Sequence, residues 1–494
     1  MTQKLLLLLT VLTMLHGPVP ADADTGNKKD KLATFNDALS QKVIEITNTR
    51  YNDNCFWGGP KGLDYGLLPG AQPIQQPVLY PDQGSTYFVG QFHLLPGQKL
   101  EITGQYPHER YFSFTVAHNL PNGGLGGGDY LRDDQIDPDP GSTNPFVPTN
   151  RRDVSPRNYT LHIVQGNPPE NPADRPSNTV YTSSNSPETL IHLAMRNYIP
   201  DEGYDGTGNA TLLEENPTAL PQVKLIQPRG KGPSLTGEAM CKAVRATKNA
   251  ESKNFTVTMW DELVAFSGDP TSAPAKPTPV WEYFWSIQYS VTGLFIPNQV
   301  ERVSLFPPSD AGGFAQNPDT GFLSAMYSLE YGSVYVIRGK MPSHQKTKLG
   351  NPNWTPDTQV RYWSTCTGAT PPSGAGWDCV WDQAVPVDED GYYTLVVSRP
   401  EDRPANARRE CGFKWMDFGK GEGDFLGARP WVNVAYMRFM DPNPDWAQSP
   451  KNIPLPTATN PYPQDQYVMK EYFPSSHYET KAEFESHGCP TPVQ

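Results

Sequence analysis

No stretch of this sequence is long and apolar enough to cross a bilayer. The most hydrophobic run, Leu5 to Leu15, falls well short of the ~20 residues that a spanning helix needs. No transmembrane segment is therefore expected. The sequence has no C-x-x-C, which excludes a zinc ribbon and a thioredoxin-type dithiol. It has no H-E-x-x-H, so a helical zinc-protease site is excluded, and no G-x-S-x-G, so the usual α/β-hydrolase nucleophile is missing. Its one glycine-rich stretch, Asn122 to Gly128, lacks the Lys-Ser/Thr of a phosphate-binding loop and opens no helical pattern. Basic residues are in short supply. Lys and Arg number 40 against 53 Asp and Glu, giving a net charge of −13 with no basic stripe, so nucleic acid is not an expected partner. Long helical patterns are scarce too. The 52 prolines are about twice average usage, and proline both fixes φ and removes a donor, which favours extended loops over helices.

What the chain does contain begins with an export signature. Lys4, the Leu5–Leu15 run and Ala21-Asp22-Ala23 read as a signal peptide over residues 1–23, with a mature chain starting near Asp24. A secreted or periplasmic location follows. Cys55, Cys241, Cys366, Cys379, Cys411 and Cys489 make an even count, which outside the cytosol points to disulfides. Cys366 and Cys379 are close enough to bridge one hairpin and are the preferred pair. Glycosylation sequons occur at Asn158, Asn209, Asn254 and Asn353, about the number that chance gives in a chain of this size.

The pattern along the chain is that of a repeat. Gly84-Ser85-Thr86-Tyr87-Phe88-Val89 returns as Gly332-Ser333-Val334-Tyr335-Val336-Ile337, and Arg110-Tyr111-Phe112-Ser113 as Arg361-Tyr362-Trp363-Ser364. Asp134-Gln135-Ile136 matches Asp382-Gln383-Ala384, Tyr159–Val164 matches Tyr393–Ser398, and Ile191–Arg196 matches the segment ending at Arg438. The strand-like segments are β-branched or aromatic and bounded by Gly, Pro, Asn or Asp, with no helices between them. The expected fold is mostly β: two tandem antiparallel β-sandwich or jelly-roll-like domains from an internal duplication, with a short N-terminal helix and a wrapping C-terminal tail. The expected boundaries are an N-terminal helix and loop over 24–79, the first sandwich over 80–225, a connector with a short helix around Cys241 over 226–330, the second sandwich over 331–444, and the tail over 445–494. Leu32, Phe35, Leu39, Val43 and Ile46 give the N-terminal helix its apolar stripe.

Residues common to both copies read as architecture. Arg110 and Arg361, Arg196 and Arg438, and Asp134 and Asp382 are expected to form Arg–Asp clamps that hold a loop to each sandwich. Residues in one copy alone read as function. His93, His118, His162 and His192 lie on strands of the first copy, opposite Met341, Ala369, Val396 and Val434 of the second. Imidazole is a metal ligand and a proton shuttle, so His118, His162 and His192 are the candidate catalytic and metal-binding residues.

The loop from Asp129 to Ser142 carries Asp129, Asp133, Asp134, Asp137 and Asp139. Asp137 and Asp139 are candidate ligands for a hard cation such as Ca2+, although the loop lacks EF-hand spacing. The cluster Trp281, Tyr283, Phe284 and Trp285 is expected chiefly in the core, with stacking on a sugar as the alternative.

Val336-Ile337-Arg338-Gly339-Lys340-Met341-Pro342, Arg361-Tyr362-Trp363-Ser364, Arg403-Pro404-Ala405-Asn406-Ala407 and Glu483-Phe484-Glu485 before Gly488-Cys489 resemble a group of uncharacterised secreted bacterial proteins with tandem β-sandwich units. More distantly, each copy is similar to an envelope-associated β-sandwich family of unknown function. The resemblance implies fold and export only. Two functional readings follow. One is an exported, metal-assisted hydrolase or lyase using the first-copy histidines and a divalent metal or Ca2+. The other is a non-catalytic envelope protein that binds a small molecule, a glycan or an apolar ligand.

Overall fold

The computed structural model describes residues 55–61, 84–119, 125–204, 220–244, 275–285, 298–308, 318–348, 350–370, 376–421 and 430–489, together with Asp30, Asp82, 287–290, Gly293 and Ile296. The signal peptide and nearly all of the N-terminal helix expected from the sequence lie outside the described residues. The described chain is mostly β, with nineteen strands in four sheets and only short helices.

The first two sheets use β1 (Trp57–Lys61), β2 (Ser85–Phe92), β3 (Lys99–Gln105), β4 (Glu109–Asn119), β5 (Leu125–Arg132), β6 (Asn158–Val164), β7 (Thr179–Tyr181), β8 (Ile191–Pro200), β9 (Gln222–Ile226) and β10 (Leu235–Thr236). Their orders are β1-β2-β8-β4-β5 and β10-β9-β3-β6-β7. The next two sheets use β11 (Glu282–Tyr283), β12 (Thr320–Ser328), β13 (Val334–Lys340), β14 (Tyr362–Gly368), β15 (Gly376–Trp381), β16 (Tyr392–Ser398), β17 (Lys414–Asp417), β18 (Val432–Met440) and β19 (Ser475–Glu479). Their orders are β11-β12-β18-β14-β15 and β17-β16-β13-β19. Adding ten to each strand number turns the first pair of sheets into the second, apart from β10, which has no counterpart among the described residues. The repeat in the sequence is thus a repeat of nine-strand topology.

Each pair of sheets encloses its own core. In β6, Tyr159, Leu161 and Ile163 are buried while the residues between them are half-exposed, which is the period-two signature of a strand with one covered face. They share a core with Phe112, Phe114 and Leu193 of the facing sheet and with Leu100 and Ile102 of the adjacent β3. The second core is built alike from Leu323, Tyr335, Ile337, Trp363, Leu395, Val397, Met437 and Phe439. Each fully buried large apolar side chain contributes about 1.5–3 kcal/mol. Trp281, Tyr283 and Trp285 belong to this second core, so the aromatic cluster packs inward.

Pairing is antiparallel except for β6 with β7 and β16 with β17, which run parallel at equivalent places. The crossover from β6 to β7 is a loop with a single 3-10 turn, Pro172–Asp174, rather than a helix.

The structure corrects the register of the repeat at two points. β13 pairs with β16 and β19 as β3 pairs with β6 and β9, so the segment Gly332–Ile337 belongs to the counterpart of β3. The segment Gly84–Val89 opens β2, whose counterpart is β12. Tyr87 and Phe322 hold the same register, opposite Arg196 and Arg438. A Gly-Ser start followed by aromatic and β-branched residues suits any strand, which is why two non-equivalent strands look alike. In this register His93 answers to Ser328 rather than Met341. The second correction moves the shared aspartate by one position. Asp133 and Asp382 both begin a 3-10 turn and both accept a backbone N–H of the preceding long strand, from Phe112 at 3.0 Å and from Trp363 at 2.9 Å.

All six cysteines are paired: Cys55–Cys241, Cys366–Cys379 across the β14–β15 hairpin as preferred, and Cys411–Cys489. Cys241 lies on the helix Gly237–Val244, within the connector where a short helix is expected. The tail supplies β19 to the fourth sheet and is tied by Cys489 to Cys411. Among the described residues no helix is long and apolar enough to cross a membrane.

Candidate functional site

Two of the three nominated histidines are neighbours. His192 on β8 lies opposite Ala117 of β4, and His118 lies opposite Ile191, one rung along, so the two side chains leave the sheet on opposite faces, His118 on the face of the core residue Ile191 and His192 on the face of Ala117 and Gln91. His192 is 6% exposed, and its Nδ1 lies 3.1 Å from the amide nitrogen of Gln91 on β2. Burial pushes the His192 imidazole down to about 4, and the nearby His118 and His93 push in the same direction. Burial also lowers His118. The Nδ1 atoms of His93 and His118 are buried and have no hydrogen-bond partner among the described residues. A polar atom left so costs free energy and calls for an explanation. The corresponding side chains of the second sandwich are Ser328, Ala369 and Val434, so the scaffold itself does not require imidazoles there.

His162 is not with them. It is on β6 of the other sheet, on the face turned away from the core. Its Nε2 is 3.5 Å from Glu101, which also holds Lys224 at 3.1 Å. Burial and the charge of Lys99 lower His162, and Glu101 opposes them. The core therefore stands between His162 and His192, and His118 is on the core face of its sheet, so the structure does not gather the three rings around one point. The expected site joins His118, His162 and His192 at one mouth of the first sandwich, whereas the alternation of β6 turns position 162 outward.

The acidic loop is largely engaged by arginines. Asp129 takes Arg175 in a fork at 2.6 and 3.0 Å and accepts the Tyr181 N–H. Asp133 takes Arg361, and Asp134 takes Arg132 at 3.2 Å. Of the two nominated cation ligands, Asp139 accepts the Thr160 hydroxyl at 3.2 Å. Asp137 is exposed, and its backbone is held on both sides by the Asn178 amide. Among the described residues, one group of three potential ligand atoms lies within 4.8 Å of one another, Asp82 with Cys366 and Cys379, and its two sulfurs are joined in a disulfide.

The shared charges form a seam that the sequence reading assigned to the wrong partners. Arg110 grips Asp382 at 2.7 and 2.8 Å, and Arg361 grips Asp133 at 3.2 and 3.3 Å. Arg196 pairs with Asp319 before β12, while Arg438 pairs with Asp82 before β2 at 3.1 Å. All four pairs cross from one sandwich to the other. The clamps therefore fasten the halves together instead of holding a loop within each half. Tyrosines follow the same exchange. Tyr111 donates to Asp319, and its equivalent Tyr362 donates to Asp82 at 2.8 Å. Arg361 stands over the Tyr111 ring at 5.7 Å, and Arg110 over Tyr362 at 5.9 Å. The seam thus has the reciprocity of a two-fold interface inside one chain. The repeated residues were visible in the sequence, but nothing in a linear reading says which half an aspartate will reach.

No protein-family model matches the chain, and no curated protein matches it. Several solved structures bear a likeness. A crystal structure of an uncharacterized protein from Burkholderia cenocepacia is 12% identical with a TM-score of 0.43, covering 96% of this chain and 94% of that one. The VPA0106 protein from Vibrio parahaemolyticus is 9% identical with a TM-score of 0.36, covering 91% and 99%. The B domain of a biofilm associated protein is 9% identical with a TM-score of 0.19, covering 80% and 74%. At these values the likeness carries nothing about activity or ligand.

Proposed function

We propose that this is an exported binding protein of the cell envelope, with its ligand site at the histidine-bearing end of the first sandwich. The observation that carries the reading is the pair of buried Nδ1 atoms on His93 and His118 that have no hydrogen-bond partner among the described residues, at the end of the sheet that also holds the buried His192. Their counterparts in the second half are Ser328, Ala369 and Val434. A small molecule or glycan that hydrogen-bonds to neutral imidazole would satisfy those atoms. Export is supported by the N-terminal sequence and by the pairing of all six cysteines, a state that persists in oxidising compartments. The binding reading is preferred to a metal-assisted hydrolase or lyase because that chemistry called on His162, which lies on the far side of the core beside Glu101.

Retention of envelope glycan fragments and of fatty acids, compared between the wild type and His118→Ala/His192→Ala, tests this. A ligand held by the wild type and released by the variant is the expected result. Identical retention by both proteins, with the variant shown to be folded, would sink the assignment.

A further inference from the structure

We propose that His477, Glu479 and His487, at the C-terminal end of the chain, form a binding site for one divalent transition-metal ion of the zinc, nickel or copper class. His477 and Glu479 are two residues apart on β19, so their side chains share its outer face. His487 directly follows the short helix Lys481–Ser486. Both rings aim Nε2 at one carboxylate. His477 is 2.6 Å from Glu479 Oε1, and His487 is 3.0 Å from Oε2 and 3.2 Å from Oε1.

The chain around them is held in place. Thr480 and Glu483 close a capping box at the start of the helix, with Thr480 N donating to Glu483 at 2.7 Å and Glu483 N to Thr480 Oγ1 at 3.2 Å. Phe484 on that helix is 2% exposed and packs against Val334, Val336, Val396 and Ala407. The Asn406 amide donates to the carbonyls of Phe484 and Gly488, on either side of His487. Cys489 is tied to Cys411. A turn fixed at so many points presents His487 to Glu479 without further ordering of backbone.

Two imidazole nitrogens and one carboxylate oxygen suit zinc, nickel or copper better than calcium or magnesium, which favour oxygen ligands. The two Nε2 atoms are not within 4.8 Å of each other, so an ion bonded at about 2.0–2.1 Å to each must draw them together. The rings are 57% and 54% exposed, which leaves them room to turn, while the carboxylate between them is 13% exposed. Three protein ligands leave a coordination position for water or an outside group. An ion there would join the edge strand β19 to the turn that ends in the disulfide.

The experiment is calorimetric titration of the full chain, stripped with chelator, with zinc chloride. One ion per chain is expected, with the affinity lowered about tenfold or more by each of Glu479→Gln, His477→Gln and His487→Gln, and unchanged in His118→Ala/His192→Ala. Cobalt(II) should give visible absorption bands in the wild type that Glu479→Gln abolishes. Circular dichroism checks that all four variants fold. Absence of zinc binding by the wild type, equal binding by Glu479→Gln, or loss only in the first-sandwich variant would each overturn the site.

Discussion

Arg110 and Arg361 occupy equivalent positions at the starts of equivalent strands, and each closes on the aspartate tethered beside the other. Asp133 is fixed to the first sandwich through the Phe112 N–H and reaches Arg361 of the second. Asp382 is fixed to the second through the Trp363 N–H and reaches Arg110 of the first. Each carboxylate thus serves twice, ordering its own 3-10 turn and joining the other half.

The side chains of Arg110 and Asp382 are both fully buried. Removing one partner of such a pair strands a charge and costs about 3–5 kcal/mol, whereas replacing both by apolar groups is often close to neutral. Arg110→Met and Asp382→Leu are each expected to lower the denaturant midpoint strongly. The double variant should lose far less than the sum. Strictly additive losses would show that the two side chains are not coupled. The same cycle on Arg361 and Asp133 should give a coupling of similar size, because the two pairs are equivalent by topology.

His192 sets a pH dependence. Its folded pKa of about 4 lies below the ordinary value of 6.5, first through burial and then through His118 and His93. The unfolded chain therefore takes up a proton at a higher pH than the folded one. The stability that His192 confers is fully present above pH 6.5 and is lost as pH falls towards 4, up to roughly 3 kcal/mol. His192→Val places in β8 the residue type that β18 carries at Val434. It should flatten this part of the stability profile between pH 7 and 4.5, measured by urea unfolding against the wild type. Parallel profiles would mean that His192 is not the group being titrated.

The strands were legible where alternation and turn residues coincide, as at Tyr159–Val164 and Arg110–Ser113. The hairpin disulfide was legible from spacing. β12 was not. It lies in an aromatic- and proline-rich stretch, and the β2 pattern had already been matched to Gly332–Ile337 on strand propensity alone. Register in a sheet comes from non-local hydrogen bonds, here Tyr87 and Phe322 against the two arginines, and these leave no local mark in the sequence. The candidate histidines were legible as types but not as a constellation. His118 and His192 reach adjacent rungs because β4 and β8 are adjacent, but on opposite faces, and His162 is remote because β6 belongs to the other sheet and turns it outward.

Gly104 and Gly339 give a test of the repeat that involves no charge. Gly104 lies opposite Tyr159, and Gly339 opposite Tyr393, in matching strand pairs. A Cβ added at Gly104 would sit 2.7 Å from the Tyr159 hydroxyl, and one at Gly339 would sit 2.5 Å from that of Tyr393. Both tyrosines are essentially unexposed, so neither ring can swing into solvent to make room. Gly104→Ala and Gly339→Ala should each destabilise by about 1–3 kcal/mol through overpacking. Adding Tyr159→Phe to the first and Tyr393→Phe to the second removes the nearest clashing atom but leaves the ring Cζ at 2.9 Å at both sites, so each should restore part of the loss. The measurement is the thermal midpoint of the four variants. Rescue at one site without the other would show that the two halves share a strand order but not this packing, and would confine the equivalence to the backbone.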